Sequence, residues 1–217
     1  MPGRASGAPL LVAQSLCLVR GGRELFRNLS LQLQAGQLWQ VEGANGAGKT
    51  SLLRILAGLA RYGFEGQVFR HAPLLYLGHQ SAVKALLTPR ENLAWHVSGE
   101  GRYDDAQIET ALAGVGLCGY EDLPSHTLSA GQHRRVNLAR LLLSNSPVWL
   151  LDEPFTAIDK SGVAELQSLL ATHVGKGGAV VMTSHQALQV NCDVLFLNLG
   201  DGPGDRPGDG AYAGALA

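Results

Sequence analysis

The stretch Gly43-Ala44-Asn45-Gly46-Ala47-Gly48-Lys49-Thr50 decides how the rest of the chain is read. Its order is glycine, four residues, glycine, lysine and threonine. It follows the short apolar run Leu38 to Glu42 and opens a helical pattern from Lys49 to Ala60, with Leu52, Leu53, Leu56 and Leu59 on one side. Strand, loop and helix in that order make a cradle for phosphate. Glycines at 43, 46 and 48 let the backbone curl until successive amide hydrogens point at phosphate oxygens, and the helix N-terminus adds its positive dipole end. The predicted cradle runs through Gly43, Ala44, Asn45, Gly46, Ala47, Gly48, Lys49, Thr50 and Ser51. In it the Lys49 ammonium meets the β- and γ-phosphates, and the Thr50 hydroxyl ligates Mg²⁺.

Such a site needs carboxylates at the end of a buried strand, and Val148-Trp149-Leu150-Leu151-Asp152-Glu153 supplies them. Asp152 is predicted to hold the metal through water. Glu153 is predicted to be the general base, because hydrolysis needs an acceptor for the water proton near the γ-phosphate. Alone, an apolar strand ending in Asp-Glu reads equally well as a strand end capping the next helix. Beside a phosphate loop the pair acquires a chemical role.

Outward from these two motifs, Leu29, Leu31 and Leu33 alternate with polar residues at the period of a half-buried strand, and Leu10 to Val19 reads similarly. The runs Leu74 to Leu77, Val148 to Leu151, Ala179 to Met182 and Val194 to Leu197 are short, apolar and separated by helical patterns, as buried parallel strands are. An α/β core follows. Between Gln80 and Ser129 no strand run stands out, and Thr88 to Val97 begins with a capping box of Thr88, Pro89 and Glu91. Residues 81–135 are therefore expected to form a helical insertion in one domain spanning 1–199, with Pro89 and Glu91 purely structural. The Gly-rich tail Gly200 to Ala217 is expected to be disordered.

Composition narrows the function. With 46% hydrophobic and 16% charged residues the chain of 217 is not disordered as a whole, and it is long enough for one substantial core. A net charge of −1 offers no broad footprint for nucleic acid or anionic lipid, so no nucleic-acid partner is expected. No run approaches the ~18 apolar residues of a membrane helix, and no export signal is expected. Cys17, Cys118 and Cys192 are widely spaced and odd in number, which suits reduced thiols. His79, His96 and His133 are expected to be surface or core residues.

Leu128-Ser129-Ala130-Gly131-Gln132, followed by an Arg- and Leu-rich helix and then the acidic strand, resembles the signature of ABC-type ATPases. The resemblance runs from about Leu10 to Leu199. It implies a RecA-like P-loop core with a helical subdomain and an N-terminal antiparallel sheet. It also implies ATP with Mg²⁺, Gln80 as the loop glutamine at the metal, Ala157-Ile158-Asp159 as the D-loop and His185 as the switch histidine. In such proteins two protomers meet head to tail, so the Ser129 hydroxyl and Gly131 amide would close on ATP held by a second copy. The family usually has glycine where Ala130 stands, and alanine fits only if the backbone there avoids positive φ. It also stacks adenine on an aromatic where this chain has Arg20. A guanidinium can stack on a ring, and an exposed turn arginine explains Arg20 equally well.

The wording Gly78-His79-Gln80, Gln132 followed by Arg134-Arg135, Asp152 to Asp159 as DEPFTAID, and Thr183-Ser184-His185-Gln186 resembles the ATP-binding subunits of the heme exporters of cytochrome c maturation. That family implies a peripheral subunit on the cytoplasmic side of the bacterial inner membrane, driving an integral-membrane partner. The ATPase of another importer or exporter is the nearest alternative. A soluble ABC ATPase acting on nucleic acid or ribosomes is further away, since this chain has neither two ATPase units nor a long coiled coil.

Overall fold

The computed structural model describes residues 7–94 and 102–200. Strands β1 (Leu11–Arg20) and β2 (Arg23–Leu33) form an antiparallel hairpin in which Leu11 faces Leu33 and Leu16 faces Leu29. The alternation in β2 buries Leu29, Leu31 and Leu33 and leaves Ser30 and Gln32 in solvent. The strand β3 (Leu38–Glu42) enters the phosphate loop and α1 (Lys49–Leu56) leaves it.

A strand unforeseen in the sequence, β4 (Phe64–Arg70), pairs with the other edge of β1 and gives a three-stranded antiparallel sheet β2-β1-β4. It contains no fully buried residue, so its sequence carries no apolar alternation. Its last residue performs a specific task. The Arg70 guanidinium donates to the carbonyls of Ile55 and Leu56, each at 2.7 Å, and so caps the C-terminus of α1. That helix ends four residues before the expected Ala60, and Leu59 is 58% exposed rather than on the buried stripe.

The remaining strands β5 (Leu74–Leu77), β6 (Val148–Asp152), β7 (Ala179–Thr183) and β8 (Val194–Asn198) join β3 in a parallel sheet ordered β5-β6-β7-β3-β8. Every residue of β6 and β7 is buried, as expected of central strands covered on both faces. One face packs on α1 and the antiparallel sheet through Leu52, Leu53, Val41 and Leu150. The other packs on α4 (Ala130–Leu143) and α5 (Lys160–Gly175) through Leu138, Leu141, Leu166 and Leu170.

Helices α2 (Pro89–Leu93) and α3 (Asp105–Gly114) share a separate apolar cluster with α4, built on Leu93, Ile108, Leu112 and Val136. α4 contributes to both clusters and continues to Leu143, beyond the residues expected of the insertion. The capping box at Thr88 and Glu91 forms as expected, while the proposed continuation of that helix to Val97 lies outside the described residues, as do His96 and positions 201–217 of the tail. Among the described residues no helix is long and apolar enough to cross a membrane.

Candidate active site

The phosphate loop is shaped by three glycines at positive φ, Gly43, Gly46 and Gly48, where a side chain would be strained. Gly48 is the N-cap of α1 at φ 101°, with no side chain capping the helix, so the first amides of α1 are left for a ligand. Gly43 lies at φ 141°, and a Cβ there would run into the Leu199 carbonyl. Lys49 is buried and folds back over the loop, its Nζ donating to the carbonyls of Gly43 at 2.6 Å and Ala44 at 3.2 Å. The adjacent Thr50 Oγ1 donates to Asp152 Oδ1 at 3.2 Å and joins the loop to the end of β6 across 102 residues of sequence.

Around this junction opens a cleft of about 600 Å³. Asn45, Gly46, Gly48, Lys49, Thr50 and Ser51 form one wall, and Asp152, Glu153 and His185 face them. Arg20, with Leu25 beside it, lines the same cleft. Three loop residues stand back from it: Gly43 packs against Leu199, Ala44 offers its carbonyl to Lys49, and Ala47 is buried.

The acidic end is strongly organised. Asp152 is 1% exposed; its Oδ1 accepts from the hydroxyls of Thr50 and Thr183, and its Oδ2 has no protein partner. A buried carboxylate oxygen left without a donor beside a threonine hydroxyl is the hard-oxygen chemistry that Mg²⁺ takes. The residues present fit that ion. Glu153 follows in the left-handed region at φ 49°, with its N–H donating to Thr183 Oγ1 at 2.8 Å. His185 Nε2 stands 3.4 Å from Glu153 Oε1, a contact that becomes an ion pair only when the imidazole is protonated.

Gln80 is exposed and outside the cleft lining, whereas His79, expected to be an ordinary surface or core residue, lines it. The carbonyls of Gly78 and His79 are both held by Arg134, which fixes this turn with His79 toward the cleft. Ser129 and Gly131 lie away from the cleft of their own chain, at the start of α4. Ser129 caps that helix, accepting from the Gln132 N–H at 3.2 Å, which leaves its hydroxyl hydrogen to donate elsewhere. Ala130 is the first residue of α4 and lies outside the left-handed region, so alanine is accommodated there without strain. One position later the packing is tight, because a Cβ on Gly131 would sit 3.0 Å from the Ala157 carbonyl. Asp159 is tied to the same helix by Arg135, whose Nη2 lies 2.6 Å from its Oδ1. The Gly162 N–H, with Arg135 behind it, holds the Asp159 carboxyl below the usual carboxylate range.

Besides His79, two residues that organise the site escaped the sequence reading. Thr183 had a visible signal, a hydroxylated residue ending a buried strand paired with the acidic strand, Asp152 opposite Thr183. Arg134 had none beyond its place in the helix: only the packed structure shows its guanidinium, 4% exposed, donating to five main-chain carbonyls.

Residues 26–156 match the family model described as ABC transporter. The chain is 51% identical over 207 residues to the "Cytochrome c biogenesis ATP-binding export protein CcmA" of Methylococcus capsulatus, covering 89% of this chain and 99% of that protein. It is 53% identical over 191 residues to the protein of the same name from Yersinia pestis, covering 82% and 87%. Among solved structures it resembles the dimeric post-hydrolysis state of the ATP-binding cassette MJ0796 bound to ADP and Pi, with a TM-score of 0.76, 21% identity and coverage of 87% and 96%. A putative ABC transporter ATP-binding protein from Pyrococcus furiosus gives a TM-score of 0.73 at 25% identity, with coverage of 87% and 96%.

Proposed function

The chain belongs to the ABC transporter family, among the cytochrome c biogenesis ATP-binding export proteins, and on that premise we propose that it is the ATP-hydrolysing subunit of a bacterial export complex serving cytochrome c biogenesis. The observation that carries the chemistry is the bond from Thr50 to Asp152, which puts the phosphate loop and the acidic strand end in one cleft. The triphosphate of ATP takes the uncapped amides at the start of α1, and Lys49 exchanges its two loop carbonyls for β- and γ-phosphate oxygens. Thr50, Asp152 and Gln80 would hold Mg²⁺, which would supply positive charge to the bound triphosphate.

Glu153 accepts the proton of the attacking water, and His185, 3.4 Å away, orients the γ-phosphate side of the reaction. Arg20, at the cleft wall, stacks on adenine. A second copy of the chain supplies its Ser129 hydroxyl and Gly131 amide to the same ATP, so the active form is a head-to-tail dimer assembled by nucleotide. The complex is completed by an integral-membrane subunit, with this chain peripheral on the cytoplasmic side of the inner membrane and heme as the exported species. The residue wording shared with heme-exporter subunits supports that cargo.

The test is a chromosomal Glu153→Gln exchange followed by heme staining of c-type cytochromes and fractionation of the cells. Loss of covalent heme, with the chain found on membranes only when its integral partner is made, is expected. A full complement of c-type cytochromes would assign the chain to a different transport system.

A further inference from the structure

We propose that Arg134 is a positioning residue for the general base: its guanidinium binds the turn that carries Glu153 to the helix that carries Ser129 and Gly131. This rests on the reading of the chain as an ATPase with Glu153 as base. All five N–H donors of Arg134 are used, and all go to main-chain carbonyls. Nε donates to Pro154 at 3.3 Å, Nη2 to Asp152 at 3.2 Å and Glu153 at 2.6 Å, and Nη1 to Gly78 at 3.1 Å and His79 at 3.3 Å.

Three successive carbonyls cannot converge on one group from an extended strand, where they alternate in direction. The alternation is broken at Glu153, whose φ of 49° is disfavoured for a residue with a Cβ. The guanidinium therefore rewards a backbone conformation that would otherwise be poorly populated, and that conformation aims the Glu153 side chain into the cleft beside His185. A rigid, planar fork of five donors is what this task needs; a lysine has three donors around one point.

The cost of this arrangement argues that geometry is its purpose. Burial pushes the Arg134 guanidinium down from its ordinary range, against the opposing pull of the Asp152 and Glu153 charges. For packing alone, an apolar side chain of similar volume generally serves as well as a buried charge. Arg134 also lies five residues beyond Ser129, little more than one helical turn, on the same rigid α4. A second tie runs alongside it, from the Ser81 hydroxyl to the His133 carbonyl at 3.1 Å. The helix start that meets nucleotide on a second copy and the turn that carries this chain's own base thus form one connected body.

The decisive experiment compares the full-length parent, Arg134→Lys, Glu153→Gln and the double variant for ATP turnover, KM and Mg-ATP affinity. Arg134→Lys is expected to lower kcat by about 10- to 100-fold, with KM and nucleotide Kd within about threefold of the parent. In the Glu153→Gln background the same exchange should change residual turnover by less than about threefold, because the group it positions is already gone. Equal losses in both backgrounds, a parallel loss of affinity and kcat, or a Lys variant as active as the parent would overturn the proposal. So would failure of both Arg134→Lys and Arg134→Gln to fold, which makes the residue structural. A parent that does not hydrolyse ATP would instead overturn the ATPase reading itself.

Discussion

The hydroxyl of Thr183 donates to Asp152 Oδ1 at 2.9 Å and accepts the N–H of Glu153 at 2.8 Å, so one side chain at the end of β7 orients both acidic residues of the site. Both bonds are lost in Thr183→Val, which keeps the shape of the side chain. The Glu153 N–H then lacks its partner and the buried Asp152 carboxylate keeps only Thr50, a cost of about 1–3 kcal/mol in stability. The urea midpoint should fall accordingly and turnover with it, while Thr183→Ser should restore both. A valine variant as stable and active as the parent would show that the hydroxyl organises nothing.

How far the sequence reaches is visible in these same residues. Lys49, Thr50, Asp152 and Glu153 were legible because each sits at a boundary between an apolar strand or helix and a loop, where local pattern dictates geometry. β4 was not legible, since its pairing with β1 depends on backbone hydrogen bonds at an exposed edge and leaves no buried alternation. Leu59 extended the apparent stripe of α1, but Gly58, in the left-handed region at φ 76°, turns the chain out of the helix before it. Arg134 binds carbonyls from two separate segments, 78–79 and 152–154, and such convergence has no sequence period to betray it. Gln80 carried the motif, while the cleft wall went to its neighbour His79.

Arg20 lines the cleft and is otherwise exposed, so the proposed stacking on the base can be tested separately from phosphate binding. Arg20→Ala should weaken ATP binding by about 0.5–2 kcal/mol and leave inorganic tripolyphosphate binding unchanged. Titration calorimetry with both ligands distinguishes the cases. Equal weakening, or none, would remove Arg20 from the adenine site.

Stability should carry a pH signature from His173, whose ring stacks on Trp149 at 3.6 Å between centroids and 6° between planes. Burial depresses its pKa from 6.5, opposed in part by the Pro147 carbonyl. The folded protein therefore binds fewer protons than the unfolded chain just below that value. The contribution is fully present above the unfolded pKa and is lost as pH falls through it toward the folded one. The thermal midpoint of the parent should drop between about pH 7.5 and 5.5 by more than that of His173→Gln. Parallel profiles would place the pH dependence elsewhere.

The proposed roles of Lys49 and Glu153 separate binding from chemistry. Glu153→Gln keeps the side-chain shape and one carbonyl acceptor but removes the basicity that takes the water proton. In the proposed arrangement Lys49, Thr50 and Asp152 still hold the nucleotide and Ser129 with Gly131 can still close from a second copy, so the variant should accumulate as an ATP-bound dimer. Its turnover should fall by about 10²- to 10⁴-fold, the usual contribution of a general base. Lys49→Ala acts earlier. It removes a phosphate contact made in the ground state and also the two bonds to Gly43 and Ala44 that tie the loop, so the dimer itself should be lost. Size-exclusion chromatography with Mg-ATP beside phosphate-release assays reads both effects. A Gln variant that hydrolyses ATP near the parent rate would exclude Glu153 as base. His185, 3.4 Å from that carboxylate, would then be the group to substitute next.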